Sequence, residues 1–391
     1  MKVRLYLMST ELKLFSLIHS EMKLCNTDAR MKQVKEFDES GIGVKGLLDS
    51  GITSIPLIFV HPPDQVPNKK SLSPHSTTDW EIPVINFCGL TNSGDRRSEI
   101  VNQIREASST YGFFQIINHG ISQTVIDDAL SSVRSFHEQP IEIKNKYYGR
   151  AQDVCFMSNS DLYKSEAASW RDTLKVVVGP EPPATEKLPE VCRNELMEWA
   201  HHATILGEIL MELMCEGLGV RPERLKEMRC SESKILLGQY YPYCPQPELT
   251  LGLVPHTDHS IITLLLQDQI GGLQVKYEDQ WISVKPIQGV ITVNVGDFFQ
   301  IISNDKYKSG EHCVLANSSQ KSRVSIPLFF HPAGLTNNED DNPTSYGPLP
   351  ELLSQEYPPC YRSFTLPEFW KHAQSRALCL KNLVNGFKIV E

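Results

Sequence analysis

No stretch of this 391-residue chain approaches the roughly 18 uninterrupted apolar residues of a membrane-crossing helix. Near the start, Lys2 and Arg4 flank the short apolar pieces Leu5–Met8 and Leu14–Ile18. Glu11 and Lys13 interrupt them and no small-residue cleavage site follows, so neither a signal peptide nor a membrane span is expected. Cys-x-x-Cys pairs are also missing. The ten cysteines are scattered from Cys25 to Cys379, which favours reduced thiols over a disulfide framework and argues against cysteine-bound structural zinc. Positive charge is in deficit: 38 basic against 47 acidic side chains leave a net charge of -9, a poor match for nucleic acid or an anionic membrane. There is no repeat of fixed period and no low-complexity run. A composition that is 40% hydrophobic and 22% charged is that of an ordinary globular chain, here expected to be cytoplasmic and long enough for a substantial core.

The first half of the chain reads as helices with a few strands. Residues 1–34 are expected to form a disordered or extended arm, with Met22 and Met31 as alternative starts, and His61 to Thr78 a Pro/Ser/Lys-rich loop. Strands are expected over Pro83–Phe87 and Phe113–Ile117, helices over Ser98–Tyr111 and Ser122–His137. The longest helix should run from about Glu190 to about Leu218, because Leu196, Trp199, Ala203, Leu206, Leu210 and Leu213 form one apolar stripe. After Ser231 the texture changes to short β-rich runs: Ile235–Tyr241, Ile261–Leu266, Leu273–Val275, Trp281–Val284, Ile291–Val295 and Val324–Phe330. Pro and Gly turns divide them, a pattern of antiparallel sandwich or barrel. Helix returns over Leu366–Asn385. The expected class is α+β, a β-barrel core flanked by N- and C-terminal helices. Its expected divisions are 35–230 (helical region), 231–335 (core) and 336–391 (C-terminal helical segment).

Within the β-rich part lie His256-Thr257-Asp258, then His312 after a gap of fifty-three residues, then Arg323-Val324-Ser325 after ten more, with Tyr241 upstream. Two imidazoles and one carboxylate are the facial ligand set of non-haem Fe(II). Residues i and i+2 of a strand share a face, so His256 with Asp258, and Arg323 with Ser325, would enter one cavity. A guanidinium and a hydroxyl side by side suit a bound dicarboxylate. Phe329 keeps the inward parity of Arg323 and is a substrate-wall candidate. His119, in a turn, is expected to be structural, and His259 to face away from the cavity by alternation. Trp170-Arg171-Asp172 is assigned to packing and salt bridging.

These residues and several longer segments resemble the plant soluble 2-oxoglutarate- and Fe(II)-dependent dioxygenases. The resemblance runs from about residue 35 to the C-terminus. It is carried by Ile82–Asn86, Gly112–Gly120, Tyr240-Tyr241-Pro242, His256-Thr257-Asp258, Gly271–Val275, Val293–Asp297 and Ser303–Ser309. Gly41–Leu47 and Ile55-Pro56 are similar to the branch of 1-aminocyclopropane-1-carboxylate oxidase homologues, which includes deacetoxyvindoline 4-hydroxylase. The resemblance implies a double-stranded β-helix (jelly-roll) core. It implies iron on His256, Asp258 and His312, and the distal carboxylate of 2-oxoglutarate on Arg323 and Ser325, with Tyr241 as a further donor. Gln239, Gly310, Cys313 and Pro327 depart from the usual family residues; none is at a ligand position.

The reaction so implied hydroxylates or desaturates a small specialised metabolite, using O2 and releasing succinate and CO2, with ascorbate as a possible reductant. No nucleic acid or membrane partner is expected, and a monomer is. Rival readings are an ascorbate-dependent oxidase of the ethylene-forming type, a catalytically silent β-barrel that binds a small molecule, and a zinc hydrolase. The last would leave Arg323 and Ser325 without a task.

Overall fold

The computed structural model describes residues 29–63, 65–66, 81–90, 94–334, 344–375 and 383–389. Among these residues eight strands form one sheet, in the order β1-β2-β10-β7-β12-β5-β4-β3. They are β1 (Val84–Asn86), β2 (Phe113–Ile117), β3 (Val154–Met157), β4 (Asp172–Gly179), β5 (Ser233–Tyr241), β7 (Ile262–Gln267), β10 (Ile291–Val295) and β12 (Arg323–His331). Four more, β6 (Leu251–His256), β8 (Leu273–Tyr277), β9 (Gln280–Ser283) and β11 (His312–Leu315), form a second sheet in the order β6-β11-β8-β9. Only β1 and β2 pair in parallel; the other pairings in both sheets are antiparallel.

Alternation along the large sheet sorts its side chains. On β12, Val324, Ile326, Leu328 and Phe330 belong to the main apolar core, while Arg323, Ser325, Pro327, Phe329 and His331 line an interior cavity. The same parity holds on β5, where Leu236 and Tyr240 face the core and Ile235, Leu237, Gln239 and Tyr241 the cavity. Helices α2 (Asp95–Thr110), α3 (Gln123–His137) and α4 (Arg193–Leu218) cover the core face, α5 (Asp297–Ile302) and α6 (Leu366–Gln374) add to the same apolar cluster, and α1 (Gly43–Asp49) packs through Val44 in a smaller cluster with Phe59 and Trp170. The apolar stripe of α4 is buried as its spacing requires. This helix ends at Gly219, whose φ of 75° is the left-handed C-terminal conformation that glycine adopts freely. Gly207 lets it lie against the sheet, since a Cβ there would stand 2.2 Å from Cζ of Phe330.

Several boundaries differ from expectation. The long helix begins at Arg193, after a turn in which Cys192 N–H donates to the Pro189 carbonyl. Residues 29–40 are helical, with Val34 buried, so the inner end of the expected arm is ordered. Residues 1–28 lie outside the described residues, as does most of the expected loop at 61–78. The C-terminal helix covers Leu366–Gln374, and Leu383–Gly386 is a 3-10 turn rather than its continuation. Strands β3, β4, β6 and β11 were not foreseen.

Candidate active site

Strand β6 ends on His256, and β11 begins on His312 directly opposite it in the ladder. The two rings lie 4.2 Å apart between centroids. Asp258 follows in the turn after β6. Its Oδ1 is 3.5 Å from His256 Nε2 and 3.7 Å from His312 Nε2, and one potential ligand atom from each residue falls within 4.8 Å of the others.

Backbone carbonyls two residues upstream orient both imidazoles in the same way. His256 Nδ1 lies 2.9 Å from the Val254 oxygen, and His312 Nδ1 lies 3.1 Å from the Gly310 oxygen. A carbonyl only accepts, so both rings carry the proton on Nδ1 and turn the Nε2 lone pair toward Asp258. The carboxylate is held from behind: Thr263 Oγ1 and Asn294 Nδ2 each donate to Asp258 Oδ2 at 2.7 Å, leaving Oδ1 free to face the imidazoles. Asp297 N–H donates to the Asp258 carbonyl at 2.7 Å, and Thr257 Oγ1 donates to Asp297 Oδ2 at 3.0 Å, which pins the turn itself.

Burial opposes a charge on Asp258, but His312, His256 and the Asn294 amide outweigh it and hold its carboxyl well below the usual range. His312 is pushed down to about 4, chiefly by burial and secondly by His256. An ionised carboxylate beside a neutral imidazole is the protonation state a divalent cation needs. The donor set of two nitrogens and one oxygen, with its supporting shell, fits iron on one side and leaves the cavity side open.

The cavity, about 340 Å³, lies between the two sheets. Arg323 is 1% exposed within it. Its Nη1 donates to Ser325 Oγ at 3.2 Å, its Nη2 donates to Gln267 Oε1 at 2.9 Å, and its guanidinium carbon lies 4.7 Å from the centre of the Tyr241 ring. The buried Nε of Arg323 has no protein partner. A buried guanidinium with spare donors, beside a hydroxyl and in a cavity shared with the triad, suits the far carboxylate of a chelating dicarboxylate.

The structure thus brings His256, Asp258, His312, Arg323, Ser325, Tyr241 and Phe329 to one cavity. His119 stays outside its lining, its Nε2 facing the Gly289 carbonyl at 2.8 Å and its Nδ1 accepting from Ile121 N–H. His259 corrects the expectation. It lines the cavity, because the chain leaves the strand after His256 and two-residue alternation stops there. The Trp-Arg-Asp triplet divides. Trp170 packs on Phe59, and Asp172 accepts from the N–H groups of Val44 and Lys45 at the start of α1, but Arg171 lines the cavity. Gln267, Thr263 and Asn294 were missed as supporting residues. Thr263 and Asn294 stand opposite each other in the β10–β7 ladder, a pairing visible only with register.

Residues 232–332 match the model of the 2OG-Fe(II) oxygenase superfamily, and residues 82–197 match that of the non-haem dioxygenase N-terminal region named for morphine synthesis. The chain belongs to the 2OG-Fe(II) oxygenases. It is 45% identical over 349 residues to 1-aminocyclopropane-1-carboxylate oxidase homolog 1 of Arabidopsis thaliana, covering 89% of this chain and 93% of that one. To deacetoxyvindoline 4-hydroxylase of Catharanthus roseus it is 46% identical over 343 residues, covering 87% and 84%. The crystal structure of JOX2 in complex with 2OG, Fe, and JA superposes with a TM-score of 0.75 at 30% identity, over 89% of this chain and 98% of that one. The fold is therefore the jelly-roll of that family. The protein is an oxidoreductase of the class that uses Fe(II) and 2-oxoglutarate.

Proposed function

We propose that His256, Asp258 and His312 hold the Fe(II), that Arg323 and Ser325 take the distal carboxylate of 2-oxoglutarate with Tyr241 beside them, and that the oxygenase hydroxylates or desaturates a small specialised metabolite against the wall that includes Phe329. The observation that carries this reading is the convergence of three ligand atoms in a cavity that also holds a buried guanidinium with an unused donor. When bound, the iron supplies the oxidation chemistry, in which O2 is consumed and 2-oxoglutarate becomes succinate and CO2.

The chain's own residues do the positioning. The Val254 and Gly310 carbonyls fix both imidazoles, and Thr263 and Asn294 fix the carboxylate. Gln267 and Tyr241 hold the Arg323 fork rigid, so little side-chain freedom is lost when a dicarboxylate binds. Leu253, Leu273 and Val314 line the cavity from the small sheet and make that wall apolar.

The test is succinate release from 2-oxoglutarate by the iron-loaded protein, with and without candidate substrates. Coupled turnover is expected. Iron-loaded protein that never consumes 2-oxoglutarate overturns the reading. Several relatives are named as homologues of 1-aminocyclopropane-1-carboxylate oxidase, so product formation that needs ascorbate but not 2-oxoglutarate would instead select the ethylene-forming type of chemistry. We also propose that the protein works as a monomer in the cytosol, apart from nucleic acid and membranes. All eight described cysteines are unpaired and six of them buried, which suits a reducing compartment. No helix among the described residues is long and apolar enough to cross a membrane.

A further inference from the structure

Arg171 stands one residue before β4, next to Asp172, which pairs with Tyr240. Strand parity sends the two side chains apart. Asp172 goes outward to cap α1, and Arg171 goes inward on the face shared by Lys175. The Arg171 residue is 5% exposed, and its Nε is buried with no partner. Among the described residues no carboxylate lies within ion-pair distance of Arg171 or Lys175, and no side chain accepts a hydrogen bond from the guanidinium. Burying a guanidinium unpaired is expensive, and such a group ordinarily pairs with an anion.

Charge balance in the cavity points the same way, and here the argument rests on the proposed function. Asp258 is the one carboxylate among the lining residues. Its charge and the two of 2-oxoglutarate are balanced by those of the ferrous ion and Arg323. Arg171 and Lys175 are then left over as two positive charges facing the same space. Ile235, Leu237, Leu265, Phe329 and Trp370 give the same cavity a large apolar wall, with Ser160, Gln239 and His331 among its polar members.

We infer that Arg171, seconded by Lys175, is the substrate-anchoring subsite, and that the substrate is a small carboxylic acid with an otherwise apolar, C–H-rich body. The planar fork takes the carboxylate, and the apolar wall receives the body whose C–H bond is to be oxidised. Arg171 is a specificity-determining residue in this account, separate from the Arg323 subsite of the co-substrate.

The test uses the full-length protein loaded anaerobically with Fe(II) and 2-oxoglutarate. Two acids, 4-phenylbutyrate and octanoate, are titrated by calorimetry against their uncharged primary amides. Wild-type protein should bind at least one acid about tenfold more tightly than its amide, the scale of a charge-assisted hydrogen bond. In Arg171→Gln that preference should shrink to about twofold or less, return in part in Arg171→Lys, and leave 2-oxoglutarate affinity unchanged. Wild-type protein without any acid preference overturns the inference. So does Arg171→Gln that keeps the preference, or that loosens 2-oxoglutarate instead of the acids. Should a thermal melt show Arg171→Gln unfolded, the half-buried Lys175→Gln decides: its preference must fall by about threefold or more, and an unchanged preference overturns the inference. Failure of the underlying oxygenase reading is distinguishable, since the wild type would then bind neither Fe(II) nor 2-oxoglutarate before any probe is added.

Discussion

At the scale of single residues, each triad side chain is held through one of its two polar atoms and leaves the other free to face its neighbours. Asp258 shows this most plainly, with Oδ2 consumed by Thr263 and Asn294 and Oδ1 left for the imidazoles. Asn294→Ala should therefore leave the fold intact while weakening Fe(II) binding by about 10- to 100-fold, as losses of such supporting contacts do. An anaerobic Fe(II) titration reads it, and wild-type affinity in the variant would show that Asn294 does not orient the ligand. Arg323→Lys keeps the charge but removes the fork that reaches Ser325 and Gln267. The KM for 2-oxoglutarate should rise by about tenfold or more with metal affinity unchanged. Equal KM values would mean that charge alone, not the fork, binds the co-substrate.

Secondary-structure elements explain both what could be read from the chain and what could not. The strand β10 was legible to its end residues because Ile291–Val295 is continuously β-prone and bounded by Gly289 and Gly296. In contrast, β6 contains Gly252 and Pro255, and β11 is four residues long after Gly310, so neither shows a period that a local reading detects. Both carry triad residues. His256 and His312 were found through their side-chain chemistry, while the ladder that pairs them was invisible. Arg171 was lost for a related reason: the Trp170-Arg171-Asp172 triplet was assigned to packing and salt bridging, and without β4 in view nothing local showed that Arg171 turns into the cavity. Pro327 sits in the centre of the large sheet, where a missing N–H should weaken a ladder. The pairing of β12 with β5 lapses at Ile326 and Pro327 and resumes at Leu328, so the proline is accommodated by a local gap.

The α4–sheet contact supplies a prediction at the same scale. Alanine usually favours a helix over glycine, but at Gly207 a Cβ would meet the Phe330 ring. Gly207→Ala should destabilise the protein by about 1–3 kcal/mol in urea melts, and Phe330→Leu should recover part of the loss in the double variant. A stabilised single variant would mean that helix and sheet are less closely packed there.

Over the whole molecule, two sheets and a helical cover bury several histidines in neutral form. His137, whose Nε2 faces the Gly238 carbonyl, and His331 at the cavity wall are both pushed down to about 3, in each case chiefly by burial. Their folded values lie below the unfolded 6.5. The stabilisation is therefore full above that pH and is lost as pH falls through 6.5 toward 3. Each should contribute a slope of about 1.4 kcal/mol per pH unit once the unfolded histidine is protonated. Urea midpoints should fall between neutral and mildly acidic pH, and His137→Phe should make the fall shallower by about one proton. An unchanged slope would show that His137 is not held neutral.

In the proposed site the two sheets converge His256, Asp258 and His312 on one ferrous ion, with Arg323 placed for its chelating co-substrate. Anaerobic titration of Fe(II) in the presence of 2-oxoglutarate, followed by the charge-transfer absorption of the chelate, tests it most directly. One equivalent per chain and a visible band are expected in the wild type. Neither is expected in Asp258→Ala or His312→Ala, and Arg323→Lys should bind iron but show a weakened band at low 2-oxoglutarate. Wild-type stoichiometry and absorption in folded His312→Ala or Asp258→Ala protein would contradict it.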